Sequence, residues 1–186
     1  MSKIFLAINI IAIGIFGASS SFADGHTQDY SESGLFIFNT LLFLIGGFLV
    51  MWMAAGFAML ETGLVRAKNA STQLTKNVAL FSLASIAYFI VGFNLMYPED
   101  GWVIEDWLGA FSPTNLEPVG VGADGVDLTY ASIGSDFFFQ LMFCAATASI
   151  VSGTVAERVK LWPFLIFTIV LTGIFYPISA SWKWGE

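Results

Sequence analysis

The chain has 186 residues, 56% of them hydrophobic and 11% charged, with a net charge of -7. A water-soluble domain of this length carries far more surface charge, so lipid is expected to be its main solvent. The acidic balance and the lack of basic patches exclude a reader of phosphate backbones, and no nucleic-acid partner is expected.

At the start, residues 1–3 give a short positive end with Lys3, residues 4–17 an apolar run, and residues 18–23 mostly small side chains ending in Ser21-Phe22-Ala23. This order predicts a secretory signal over residues 1–23, cleaved after Ala23, which would leave Asp24 outside the cytoplasm. The alternative is an uncleaved anchor helix, for which the run is short against the ~20 residues a span needs. His26, the sole histidine, lies in a polar leader and reads as a solvated residue rather than a ligand.

Four apolar stretches follow, over about residues 35–60, 78–97, 137–155 and 163–181, each long enough to span a bilayer. The fold class expected is an all-α, polytopic helical membrane bundle. Gly46, Gly47, Gly56 and Gly63, with Ala54 and Ala55, thin one side of the first helix. Ala145, Ala146, Ala148, Ser149, Ser152 and Gly153 do the same in the third, which predicts close helix approach. Pro163 begins the fourth stretch, and Pro177 predicts a kink near its outer end.

Charge sets the expected orientation. Arg66, Lys68 and Lys76 lie between the first and second stretches, and Arg158 and Lys160 between the third and fourth. The long connection over residues 98–135 holds Glu99, Asp100, Glu105, Asp106, Glu117, Asp124 and Asp127 without a lysine or arginine. The basic loops are therefore expected in the cytoplasm and the acidic loop outside. Trp102, Trp107, Trp162, Trp182 and Trp184 fall near the expected interfaces, as belt residues do.

The acidic loop is too apolar at Trp102, Ile104, Trp107, Leu108 and Phe111 for a plain linker, and is expected to fold back as a partly ordered cap. Residues 120–127 predict a turn or short hairpin. The Asp124-x-x-Asp127 spacing does not fit a calcium loop, so no metal is expected. The acidic surplus either draws cations to the outer mouth or simply solvates the loop. Cys144, the lone cysteine, allows no disulfide framework within the chain.

Three runs in order, AGFAMLETGLVRAKN at 55–69, FQLMFCAATASIVSGTVAER at 139–158 and WKWG at 182–185, resemble the ammonium transporter (Amt/Mep/Rh) family. The resemblance covers residues from about 35 to the end. It implies transport of ammonium or ammonia, an exported N-terminus, a homotrimer with a pore in each subunit, and about eleven membrane helices in two inverted halves. The family's histidine pair and supporting aspartate would lie beyond residue 186, so the chain is expected to be a fragment of a longer gene product. The alternative is a truncated, inactive protein.

By the same resemblance Phe143 aligns with the outer pore gate, Gln140 offers pore-lining support, and Trp184 aligns with the tryptophan that recruits ammonium. An aromatic face replaces part of a cation's hydration, while an apolar ring excludes hydrated ions. Read without the resemblance, Trp184 is an interface anchor and Phe143 core packing. The fourth helix departs from the family pattern, with Ser181 where many members have histidine and Lys183 where an apolar residue is usual. Lys183 should repel ammonium from Trp184 unless its side chain snorkels outward.

Glu157, beside Arg158, reads as a structural acid that caps or pairs with basic loop residues, and Glu61, close to Arg66, is read the same way. No nucleophile or second buried carboxylate accompanies either, so neither an enzyme nor a cofactor is expected. The expected setting is a bacterial-type inner membrane, with nitrogen uptake as the purpose and a cytoplasmic regulatory protein as a further partner. Two rival readings stand beside transport: an ammonium sensor with a transporter-like membrane domain, and a non-transporting membrane scaffold.

Overall fold

The computed structural model describes residues 32–98, 101–104, 107–114, 116 and 130–185. The signal expected over residues 1–23, His26, and the turn and Asp124-x-x-Asp127 pair over residues 120–127 lie outside the described residues.

Four helices are long and apolar enough to cross a membrane: Gly34–Leu64, Ala67–Met96, Ile133–Thr154 and Leu161–Trp184. The first is α1 (Glu32–Leu64), whose 33 residues extend about 50 Å, well beyond a ~30 Å hydrocarbon core. The second begins with a 3₁₀ turn (Ala67–Asn69), continues as α2 (Ala70–Ala87), loosens into a π turn (Tyr88–Gly92) and ends in α3 (Phe93–Met96). The third is α4 (Ile133–Thr154), whose N-cap Ser132 accepts a hydrogen bond from the Ser135 N–H at 3.3 Å. The fourth is α5 (Leu161–Val170), a π turn (Leu171–Phe175) and α6 (Tyr176–Trp184).

The second helix starts before the predicted residue 78. Its first two turns are polar in sequence, yet Gln73, Lys76 and Asn77 are buried, so the segment is helical without reading as apolar. Pro177 likewise sits inside a continuous helical segment, directly after the π turn. A proline removes one backbone donor, and a π turn is one way a helix absorbs such a gap.

Among the predicted glycines, Gly46 and Gly47 bring α1 against α4. A Cβ at Gly46 would lie 2.8 Å from the Phe139 ring, and one at Gly47 would lie 2.6 Å from the Phe138 ring. Gly56 and Gly63 have nothing within 4 Å and serve no such approach among the described residues. The interior divides along the bundle. Leu80, Ala148, Phe164 and Leu165 fill the half nearer the basic loops, and Tyr88, Phe93, Met96 and Cys144 the half nearer the acidic loop.

The described early part of the acidic connection, residues 101–104 and 107–114, folds back. β1 (Trp102–Ile104) and β2 (Leu108–Gly109) form an antiparallel pair with a bulge, which the sequence reading did not anticipate. The Trp182 indole N–H donates to the Trp107 carbonyl at 3.0 Å, and the two rings meet edge to face at 5.6 Å. Asn94 donates to Ser112 Oγ and to the Pro113 carbonyl, fixing residues 112–113 over α3.

Candidate functional site

At the end of the bundle nearer the acidic loop, α4 presents Asp136, Gln140 and Phe143 at positions i, i+4 and i+7, which share one helical face. Gln140 is 6% exposed and donates from Nε2 to the Tyr97 hydroxyl at 2.8 Å. Tyr97, directly after α3, lies near enough to the buried Asp136 for the two to act on each other electrostatically. Burial first, and the Asp136 carboxyl second, hold the Tyr97 phenol well above its usual range, so it stays protonated.

Phe143 is not part of that polar group. Its ring is 39% exposed and meets the Phe139 ring edge to face at 4.9 Å. Trp184, the last residue of α6, is 53% exposed, with Lys183 Nζ 5.8 Å from its ring centroid. Gly185 follows, and a Cβ there would lie 2.6 Å from the Ser181 carbonyl and 3.1 Å from that of Met96. Only glycine lets the end of α6 close so tightly on the end of α3. The end of α6 thus meets the end of α3, which Tyr97 directly follows, and no ring contact joins Phe143 to Trp184 among the described residues.

A second polar group sits in the half nearer the basic loops. The Glu61 carboxyl of α1 is 1% exposed, and its Oε2 accepts from Asn77 Nδ2 at 3.0 Å, from Ser152 Oγ at 2.8 Å and from Gln73 Nε2. Lys76 Nζ donates to the Ser152 carbonyl at 2.9 Å and lies 4.9 Å from the Phe164 ring centroid. One carboxyl therefore ties α1, α2 and α4 together where lipid would otherwise leave these polar groups unsatisfied.

This corrects the expected pairing of Glu61 with Arg66. Arg66 lies beyond the end of α1 in extended conformation, φ -62° and ψ 142°, and is directed elsewhere. Its backbone N–H and its Nε reach Glu157 Oε1 at 3.0 and 3.3 Å, and Asn69 Nδ2 reaches the same oxygen at 2.6 Å. Glu157 does pair with a basic loop residue, as its sequence position suggested. These hydrogen bonds, from Asn69 first and the Arg66 backbone next, pull its carboxyl below the usual range.

Sequence reasoning named Phe143, Gln140 and Trp184 through the resemblance and did not name Asp136 or Tyr97, which the structure brings to the same end of the bundle as Gln140. The available signal was Asp136 one helical turn before Gln140, a carboxylate inside the first turn of a membrane helix.

Comparison with known proteins places the chain in a family. The model of the Ammonium Transporter Family matches residues 41–186. Ammonium transporter Amt2 of Archaeoglobus fulgidus is 42% identical over 142 residues, covering 76% of this chain and 28% of its own. Ammonium transporter 3 of Dictyostelium discoideum is 33% identical over 171 residues, covering 92% of this chain and 36% of its own. The solved structure of a sensor Amt protein superposes with a TM-score of 0.67 at 30% identity, covering 82% of this chain and 35% of that one. The chain spans about a third of the length of these relatives. With four helices able to cross a membrane and a family match over most of its length, this multi-pass membrane chain belongs to the ammonium transporter family.

Proposed function

We propose that the protein carries ammonium or ammonia across a membrane, these residues forming the N-terminal part of a channel-like transporter. In this reading residues 1–23 are removed as a signal, the N-terminus lies outside, and the basic loops face the cytoplasm of a cell whose inner membrane holds the protein as a homotrimer. Nitrogen uptake is its purpose, and the basic side is where a cytoplasmic regulatory protein would dock.

The observation that carries the reading is the exposure of two aromatic rings beside buried neighbours. Gln140 and Cys144 are buried on either side of Phe143, and Ser181 and Gly185 around Trp184, yet the two rings are 39% and 53% exposed. These two aromatic side chains stand at the surface of the four-helix core and not inside it. Trp184 would hold the ammonium cation at the outer end by its indole face, Phe143 would close the path to hydrated ions, and Gln140 would support the path through Tyr97.

The test is uptake. Expression from the natural gene in cells lacking their own ammonium transporters is expected to restore growth at low ammonium, and Phe143→Ala to change the maximal rate or admit other ions more than it changes apparent affinity. Absence of uptake from a protein that reaches the membrane would refute the reading.

The similarity to a sensor Amt protein favours ammonium sensing as the second reading. An ammonium-dependent signal from the protein in cells where it carries no flux would decide for it.

A further inference from the structure

Asp136 lies in the first turn of α4, and its side chain is 7% exposed. Oδ1 has no hydrogen-bond partner among the described residues, and Tyr97 stands near enough to act on the carboxyl. Gln140 has only donors at Nε2, so the Tyr97 oxygen accepts from it and the phenol proton stays free to donate elsewhere. Among the described residues no lysine or arginine is paired with Asp136. A buried acceptor left empty is costly, on the order of 1–3 kcal/mol and more for a charged group. The N-terminus of α4 favours negative charge there but donates nothing to Oδ1.

A cation with its own hydrogen-bond donors supplies what is missing. Divalent metals fit poorly, since calcium takes six or more oxygen ligands and no three His, Cys, Asp or Glu side chains cluster among the described residues. Ammonium needs only a few directed acceptors and tolerates aromatic faces as the rest of its shell. Aromatic rings cluster at this end of the bundle. Phe93 packs against both Tyr97 and Phe137, at 5.2 and 5.3 Å between ring centroids.

We propose that Asp136, oriented by Tyr97 and Gln140, forms an ammonium-binding site at the acidic-loop end of α4, one helical turn before Gln140 and two before Phe143. It is a site additional to Trp184, and it rests on the transport reading for its ligand. The carboxylate supplies the charge attraction that an indole face alone lacks. The shared helix face places the bound cation on the approach to Phe143.

The test uses protein expressed from the natural gene and purified in detergent, with thermal stabilisation measured against ammonium chloride and against sodium chloride at equal ionic strength. Ammonium is expected to stabilise the wild type selectively. Asp136→Asn, close to isosteric, is expected to raise the half-saturating ammonium concentration roughly tenfold or more, the size of one charge-assisted hydrogen bond. Asp136→Glu keeps the charge and is expected to raise it a few-fold, which keeps the test open should the asparagine variant not fold. No selective stabilisation of the wild type, or variants that respond at the wild-type concentration, would overturn the site. So would a response that Trp184→Leu abolishes and Asp136→Asn leaves unchanged. Stabilisation that depends on Asp136 in a protein that moves no ammonium would uphold the site and refute transport.

Discussion

The Lys183 ammonium group lies 5.8 Å from the centroid of the Trp184 ring, the aromatic face proposed to take ammonium. Adjacent residues on a helix point about 100° apart, so the lysine stem curls back to reach its neighbour. Two ammonium groups cannot share one face. Lys183→Met is therefore expected to lower the half-saturating ammonium concentration a few-fold, within the ~0.5 to 2 kcal/mol of a cation–π contact, and Trp184→Leu to raise it by a similar factor. Uptake measured across a range of ammonium concentrations separates these effects. A Trp184→Leu variant altered only in the amount of protein in the membrane would mark the tryptophan as an interface anchor.

Glu61 holds three helices through one oxygen, which makes its removal worse than its absence. Glu61→Ala strands the donors of Gln73, Asn77 and Ser152 in the bundle, and is expected to cost about 3–5 kcal/mol. Glu61→Gln keeps the shape and one acceptor and should cost much less. Replacing the cluster together, Glu61→Leu with Gln73→Leu, Asn77→Leu and Ser152→Ala, should recover part of the loss, because no donor is then left unpaired. Thermal unfolding in detergent checks the order of the variants. Equal midpoints for Glu61→Ala and wild type would show that the cluster contributes nothing to stability.

The four spans were legible because continuous apolarity is the strongest signal a membrane chain carries. The polar group inside them was not. Glu61 stands 12 residues from Gln73 and 91 from Ser152, and no local pattern says that these meet. Its effect even hid the start of the second helix, since Gln73, Lys76 and Asn77 read as loop when judged by hydropathy. At the other end, Phe143 and Trp184 were marked by the family runs around them. Asp136 depends on Tyr97 from a different helix, a pairing only the fold supplies. The two-stranded cap was hidden by its length, as strands of three and two residues are set by their contacts with α3 and α6 rather than by propensity.

Glu157 links the two basic loops and should make their contact sensitive to acid. Its carboxyl is held below the usual value of 4.5, so the contact is fully formed above that pH and is lost as pH falls through the lowered folded value. Glu157→Gln should remove this acid response. Glu157 also has φ 60°, a left-handed conformation that favours glycine. Glu157→Gly should thus relieve backbone strain while losing the same hydrogen bonds, and be less damaging than Glu157→Ala. Proteolysis of the basic loops as a function of pH reads the contact. An acid response unchanged in Glu157→Gln would assign it to another group.

The orientation proposed from Arg66, Lys68, Arg158 and Lys160 can be tested at single positions. Cys144 is buried, with its thiol donating to the Thr172 carbonyl at 3.4 Å, and Cys144→Ser, with any cysteine elsewhere in the protein also replaced, gives the background for labelling. Ser112 is a poor labelling site because its hydroxyl accepts from Asn94 at 3.0 Å. Val103, 63% exposed on β1, offers a reporter for the acidic loop without breaking a contact, and Ala67, exposed between α1 and α2, serves the basic side. An impermeant thiol reagent added to intact cells is expected to label Val103→Cys and not Ala67→Cys, with both labelled once the membrane is opened. If Ala67→Cys reacts in intact cells and Val103→Cys does not, the basic loops lie outside and the proposed direction of recruitment at Trp184 reverses with them.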